Sequence, residues 1–280
     1  MLFSIINLFR RSYSVSFPTR HIYILFLVAH ILLVWIISYF PTQDGPSHIY
    51  NLAILHDLLN GGKEWGEYFT YNLKIVPNLG FNLLSYPLLF VVAPITAEKI
   101  FLSLYIFLMG IAVPLQISTF APHASYSRMI KFLVIPVIFN FTLMMGFYSY
   151  AVGVPVFLIA ISMAWRIRKR PILLRIICYN SVGILVYLLH LIPFIFYLLA
   201  LAIFAVVEHE RIGKATLSLV RQIASILPLV SMLIFYLLNG TSSPVPRDFS
   251  YLLSSFRAEY LLAKLFTFST YSFSVWQLLP

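Results

Sequence analysis

Long apolar runs without a charged residue follow one another at 21–40, 75–97, 100–120, 132–165, 176–207 and 222–238. They are continuous rather than alternating, which excludes the dyad pattern of a transmembrane β-barrel. A helix crossing the hydrocarbon core takes about 20 apolar residues. The run 132–165 is too long for one span, and GFYSYAVG (Gly146 to Gly153) is its predicted turn. The run 176–207 breaks around Tyr187–Pro193 in the same way. If every run crosses, the pattern predicts eight spanning helices.

Charge removes one of them. With the N-terminus inside, the cluster Arg166, Arg168, Lys169 and Arg170 would lie outside after five crossings, against the positive-inside rule. The run that best fails to cross is 75–97. It holds Pro77, Pro87, Pro94, Asn78, Asn82 and Gly80, and reads as a membrane-dipping part of an outer loop. About seven spans remain: 21–40, 98–118, 131–147, 151–166, 171–189, 191–208 and 221–238. The inside loops 119–130, 167–171 and 209–220 are then all basic. Residues 1–20, with Arg10, Arg11 and Arg20 and no acid, read as a cytoplasmic tail. Residues 21–238 form the membrane module, with a long first outer loop at 41–97, and 239–280 form a last outer loop or tail. The expected fold is an all-α polytopic membrane bundle with amphipathic surface helices in that first loop.

Composition agrees. Of 280 residues, 61% are hydrophobic and 10% charged, with a mean hydropathy of +0.91. Soluble domains run about 45–50% apolar and about 25% charged. One cysteine, Cys178, excludes a disulfide framework and a cysteine-based zinc site. The net charge of +10 sits in inside loops, so it does not point to nucleic acid.

The first outer loop is where the chain departs from a generic bundle. It contains Asp44, Asp57, Glu64 and Glu67, four of nine acids. Gly45-Pro46 is a helix-start signal, and Ile49, Leu52, Leu55 and Leu59 recur at helical spacing. His48 and Asn51 share a polar stripe beside them, and Gly61-Gly62 ends the helix. Asp44 stands just before this surface helix, where an ordinary role is to cap it.

An Asp shortly after the first span, in a long outer loop of surface helices, resembles the GT-C membrane glycosyltransferases. The stretch DGPSHIYNLAIL is similar to that of bacterial multi-pass membrane proteins associated with this superfamily. The seven-span plan is similar in architecture over nearly the whole chain; in sequence the likeness is specific around 42–55 and looser at 71–80. The resemblance implies transfer of a sugar from a polyprenyl-phosphate carrier to an acceptor at the outer face of a bacterial inner membrane. Asp44 would be the general base, and Lys74 in NLKIVPN would neutralise the departing phosphate. His48, Asn51 and His190 would face the substrate, and Arg247 and Arg257 would bind the carrier phosphate. The donor, membrane lipid and a glycan, lipid or protein acceptor are the implied partners.

The chain departs from the family pattern in places. The second outer loop, GFYSYAVG, has no carboxylate, where many metal-dependent members carry a second acidic motif. A divalent metal would have to use Asp44 with Asp57, Glu64 or Glu67, so no cofactor is expected. The chain ends at Trp276–Pro280 inside what would be the fourth outer loop, as a minimal or truncated member. His30 lies mid-span, where an ionisable residue is a functional candidate. Trp65, Tyr68, Tyr71 and Tyr148 fall at the expected outer cavity, and their faces suit sugar rings as well as interfacial anchoring. A transporter or flippase, or a noncatalytic membrane assembly subunit, is the alternative reading. A transporter would need a polar path across several spans, and only His30, Asn140 and Asn180 offer one.

Overall fold

The computed structural model describes residues 17–62, 64–71, 75–122, 127–212 and 215–239. Every regular element among them is helical. In chain order they are α1 (Phe17–Ile36), α2 (Gly45–Leu59), α3 (Gly80–Ser85) running into a 3₁₀ turn (Tyr86–Phe90), and α4 (Pro94–Phe120). Then come α5 (Ser127–Ile130), a 3₁₀ segment (Lys131–Val137), α6 (Phe141–Met144) and α7 (Tyr148–Ile167). The chain continues with α8 (Ile172–Leu189), α9 (Leu191–Ile212) and α10 (Ala215–Asn239).

Among the described residues four helices are long and apolar enough to cross a bilayer: Thr19–Ile36 of α1, Pro94–Phe120, Tyr148–Ile167 and Ile172–Leu189. The chain is therefore a helical protein of membrane type. Between 75 and 97 the structure has helices of 6 and 5 residues. At about 1.5–2 Å of rise per residue neither approaches the ~30 Å hydrocarbon thickness.

Of the seven expected spans, those at 131–147, 191–208 and 221–238 hold shorter apolar helices among the described residues (Lys131–Met144, Leu191–Val207 and Ile223–Leu238), and two expected spans differ in form. The first helix ends at Ile36 rather than at 40, short of Pro41, which biases the residue before it away from helical backbone. The expected continuous helix over 131–147 is broken into the 3₁₀ segment and α6. Pro136 lies inside the 3₁₀ segment, where its missing N–H and its ring prevent a regular α-helical ladder. Asn140 then starts α6 afresh, accepting the Leu143 N–H at 3.1 Å. The freed backbone is satisfied from α4: Tyr105 donates to the Ile138 carbonyl at 2.7 Å and accepts from Asn140 Nδ2 at 2.9 Å. Irregular backbone at membrane depth survives only where protein covers it in this way.

Side-chain packing divides into two apolar cores. The first gathers α1, α2, α3, α4, the 131–144 segment and the start of α7, around Val34, Leu52, Phe81, Tyr105, Leu143 and Tyr148. The second gathers α7, α8, α9 and α10, around Ala160, Tyr179, Val186, Phe194, Tyr197 and Leu229.

The contacts also sort the helix ends. Lys99 Nζ donates to the Trp35 carbonyl (3.3 Å), Gln43 N to the Met144 carbonyl (2.9 Å), and Leu79 N to the Leu188 carbonyl (2.9 Å). Phe81 N donates to Ser149 Oγ at 3.0 Å. These bonds gather the end of α1, the loop leading into α2, the start of α3, the start of α4, the α6–α7 turn and the end of α8 at one end of the bundle. At the other end Arg166 donates to Thr119 Oγ1 (3.0 Å) and Ser118 Oγ (2.9 Å), tying α7 to the end of α4.

Candidate functional site

Asp44 sits where α1 has ended and α2 begins. It occupies the N-cap position, but its backbone is helical (φ −95, ψ −2) and its side chain makes no cap hydrogen bond. A capping side chain needs an extended backbone to reach the N–H groups of the next turn. The ordinary structural role of an Asp at this position is thus not the one it plays here.

The Asp44 backbone is gripped from both sides. On one side lies the α6–α7 turn. The Asp44 N–H donates to the Met145 carbonyl at 3.2 Å. Gly146, at φ +85, passes so close that a Cβ there would lie 2.8 Å from Asp44 N and 2.9 Å from Asp44 Cβ. Both the positive φ and the approach demand glycine.

On the other side three oxygens converge. Tyr148 hydroxyl bonds Thr42 Oγ1 at 2.6 Å and donates to Glu98 Oε1. Thr42, Glu98 and Tyr148 are 6%, 2% and 0% exposed, so a side chain left unpaired here would have no water to replace its partner. A Cβ on Gly45 would overlap Thr42 Oγ1 and lie 2.9 Å from Glu98 Oε1.

His48 completes the group one turn into α2, its N–H donating to the Asp44 carbonyl at 3.1 Å. Its ring stacks on Tyr148 (centroids 5.4 Å) and tilts against Phe81 (5.6 Å). Burial lowers its pKa, while the Gly146 backbone and the Asp44 carboxylate pull the other way. The imidazole is therefore held toward its neutral form beside a carboxylate. That pairing provides a proton acceptor and a neutral hydrogen-bonding ring at one end of the bundle.

The structure brings Asp44 and His48 together and sets the other sequence candidates apart. Asn51 is exposed on α2. His190 ends α8, accepts the Ile192 N–H at Nδ1 (3.2 Å), and meets Tyr150 edge-on at 5.1 Å. Residues 148 and 150 lie about 200° apart around α7, so His190 shares the bundle end with Asp44 but stands across α7 from it. Burial lowers the His190 pKa as well. Lys74, Arg247 and Arg257 lie outside the described residues. Trp65 packs edge-on to Tyr50 and Phe69 (5.5 and 6.1 Å), and Tyr68 is exposed.

His30 Nδ1 lies 2.7 Å from the Phe26 carbonyl of its own helix. Asn180 Nδ2 donates to the Ile176 and Ser225 carbonyls at 2.7 and 2.9 Å, joining α8 to α10. Among the described residues no three His, Cys, Asp or Glu side chains come together as a metal site.

Glu98 and Thr42 were not singled out in the sequence. The available signal was the Glu98-Lys99 pair near the start of a long apolar helix, where the cost of burying charge makes an ionisable residue conspicuous.

No family model, no curated protein and no solved structure matches this chain.

Proposed function

We propose that the protein is a seven-span glycosyltransferase of the GT-C kind, moving a sugar from a polyprenyl-phosphate carrier to an acceptor hydroxyl at the outer face of a bacterial inner membrane. One observation carries this reading: Asp44 is rigidly held at one bundle end, and its carboxylate is not used for capping. In the proposed reaction the acceptor oxygen attacks the anomeric carbon opposite the phosphate. Asp44 removes the hydroxyl proton as the new bond forms, and the sugar–phosphate bond breaks. The polyprenyl phosphate departs and the anomeric configuration inverts. The neutral imidazole of His48 hydrogen-bonds the acceptor, and Lys74, Arg247 and Arg257 are assigned to the phosphate. Seven crossings with the N-terminus in the cytoplasm would place Asp44 on the outer side.

The test is mass spectrometry of lipids and glycans in membranes expressing the wild-type protein or Asp44→Asn. The wild type should consume a polyprenyl-phosphate sugar. Loss of a general base costs about 10²–10⁴-fold, so Asp44→Asn should leave that lipid intact and bound to the purified protein. Full transfer by Asp44→Asn would refute the assignment.

A further inference from the structure

We propose that Glu98 is a positioning residue for Asp44, acting through Tyr148 and Thr42 as the fixed half of a clamp on the Asp44–Gly45 backbone. The inference deepens the glycosyl-transfer reading and rests on it for its catalytic meaning. The clamp itself is defined by geometry alone.

The two jaws meet at the start of α7, and only the second is tied to another helix, through Glu98 of α4. One is the Gly146 turn, which leads into α7 and receives the Gln43 and Asp44 N–H groups on the Met144 and Met145 carbonyls (2.9 and 3.2 Å). The other is the buried oxygen chain Thr42–Tyr148–Glu98. Thr42 precedes Asp44 by two residues and Gly45 follows it directly. The chain therefore holds the loop on both flanks of the carboxylate.

Glu98 is the anchor because it is the only member rooted in α4, the long helix that packs along α7. With Glu98 ionised, Thr42 donates to Tyr148 and Tyr148 donates to Glu98. Every hydroxyl proton is used, and the chain ends on an acceptor. Removing the Glu98 carboxyl leaves the Tyr148 hydroxyl with Thr42 as its one remaining partner. The second jaw then closes on a hydroxyl free to rotate. The shape of Gly45 matters for the same reason, since the three oxygens fill the space that any larger side chain would need.

The experiment is hydrogen–deuterium exchange on the full chain in detergent, read in peptides covering 42–48, 100–118 and 150–166. The Gln43 and Asp44 amides report on the clamp directly. Glu98→Ala should raise exchange in 42–48 at least tenfold and leave the two helix peptides within twofold of wild type. Glu98→Gln retains an oxygen for the Tyr148 hydroxyl and should restore most of the protection. Thr42→Val, which leaves the carboxylate in place, should give a smaller rise in 42–48 and guards against Glu98→Ala failing to fold.

Unchanged exchange in 42–48 would overturn the proposal. So would an equal rise in all three peptides, or failure of Glu98→Gln to protect better than Glu98→Ala. The transfer reading is judged separately with Asp44→Asn, whose 42–48 amides should stay protected. If that variant keeps transfer while Glu98→Ala still opens 42–48, the clamp stands and the transfer reading falls.

Discussion

Buried hydroxyls of this bundle are held in two contrasting ways. Several tyrosine hydroxyls end on helix carbonyls: in the second core Tyr179 on Ala164 (3.2 Å) and Tyr197 on Tyr179 (3.2 Å), and in the first Tyr23 on Gly110 (2.9 Å). Those carbonyls belong to helices, so each of these hydroxyls is satisfied by backbone. In the first core the hydroxyls of Thr42 and Tyr148 and the carboxylate of Glu98 bond one another. Each is needed by the next, and the group surrounds a loop carrying an uncommitted carboxylate. Buried polar networks of this kind are costly when incomplete. The difference separates polar groups that are merely accommodated from polar groups that fix the position of something else.

Glycine replacements test that contrast most severely. A Cβ on Gly45 has to displace Thr42 Oγ1, Tyr148 and Glu98 together. None of these can rotate away without breaking the chain. A Cβ on Gly183 of α8 overlaps only the Cδ1 and Cδ2 ends of Leu229, a side chain that can change rotamer. Overpacking costs typically about 1–3 kcal/mol, so Gly45→Ala should cost about 3 kcal/mol and Gly183→Ala about 1 kcal/mol. Thermal unfolding in one detergent measures both. Equal losses would erase the distinction between the two sites.

Tyrosine hydroxyl deletions come next. Tyr148→Phe strips both Glu98 and Thr42 of a partner in a site closed to water, which should cost about 2 kcal/mol. Tyr197→Phe orphans no side chain and should cost about 0.5–1 kcal/mol. Combining Tyr148→Phe with Glu98→Gln should cost less than the sum of the two, because residues in one network are not additive. Tyr197→Phe with Glu98→Gln should be additive. A double-mutant cycle that is additive in both cases would mean that Tyr148 and Glu98 are neighbours without coupling.

The all-helical, membrane-type class was legible in the sequence, for a physical reason. Apolar length and loop charge are set by the bilayer, and both are one-dimensional properties of the chain. The lack of a spanning helix between 75 and 93, the break within Tyr187–Pro193 and the helix after Asp44 all follow from proline, glycine and helical spacing. The site was harder to read. Asp44 looked like a cap because residue type and position favour one, and only its helical backbone angles remove that role. Glu98 lies one residue beyond the charge-free stretch 75–97, so a reading by apolar runs placed it at a boundary. Its partner Tyr148 is 50 residues away in sequence, and Tyr148 is 106 residues from Thr42. No local pattern encodes such pairings. The break at Pro136 was similarly hidden, because the helix fragments are held together by Tyr105 from another element.

Acid provides the gentlest test, because His48 and His190, the two perturbed histidines among the described residues, belong to the site end of the bundle. Burial lowers the pKa of His48 and of His190 below their ordinary value of 6.5. The unfolded chain therefore takes up these protons before the folded one does. By linkage, stability rises with pH wherever the unfolded state binds more protons. The stabilisation from neutral imidazoles is complete above about pH 6.5 and is lost as pH falls through the lower folded-state values. The Tm in detergent should thus be level from pH 8 to 7 on this account and decline toward pH 5. His190 should supply the larger share. Its Nδ1 accepts the Ile192 N–H, which an imidazolium cannot do, whereas the Asp44 carboxylate partly favours the charged form of His48. His190→Asn places an amide oxygen near the lost Nδ1 and should flatten most of the decline, and His48→Gln a smaller part. A wild-type Tm that stays level to pH 5 would show that neither ring is held neutral. A slope untouched by both substitutions would place the acid-sensitive group elsewhere in the bundle.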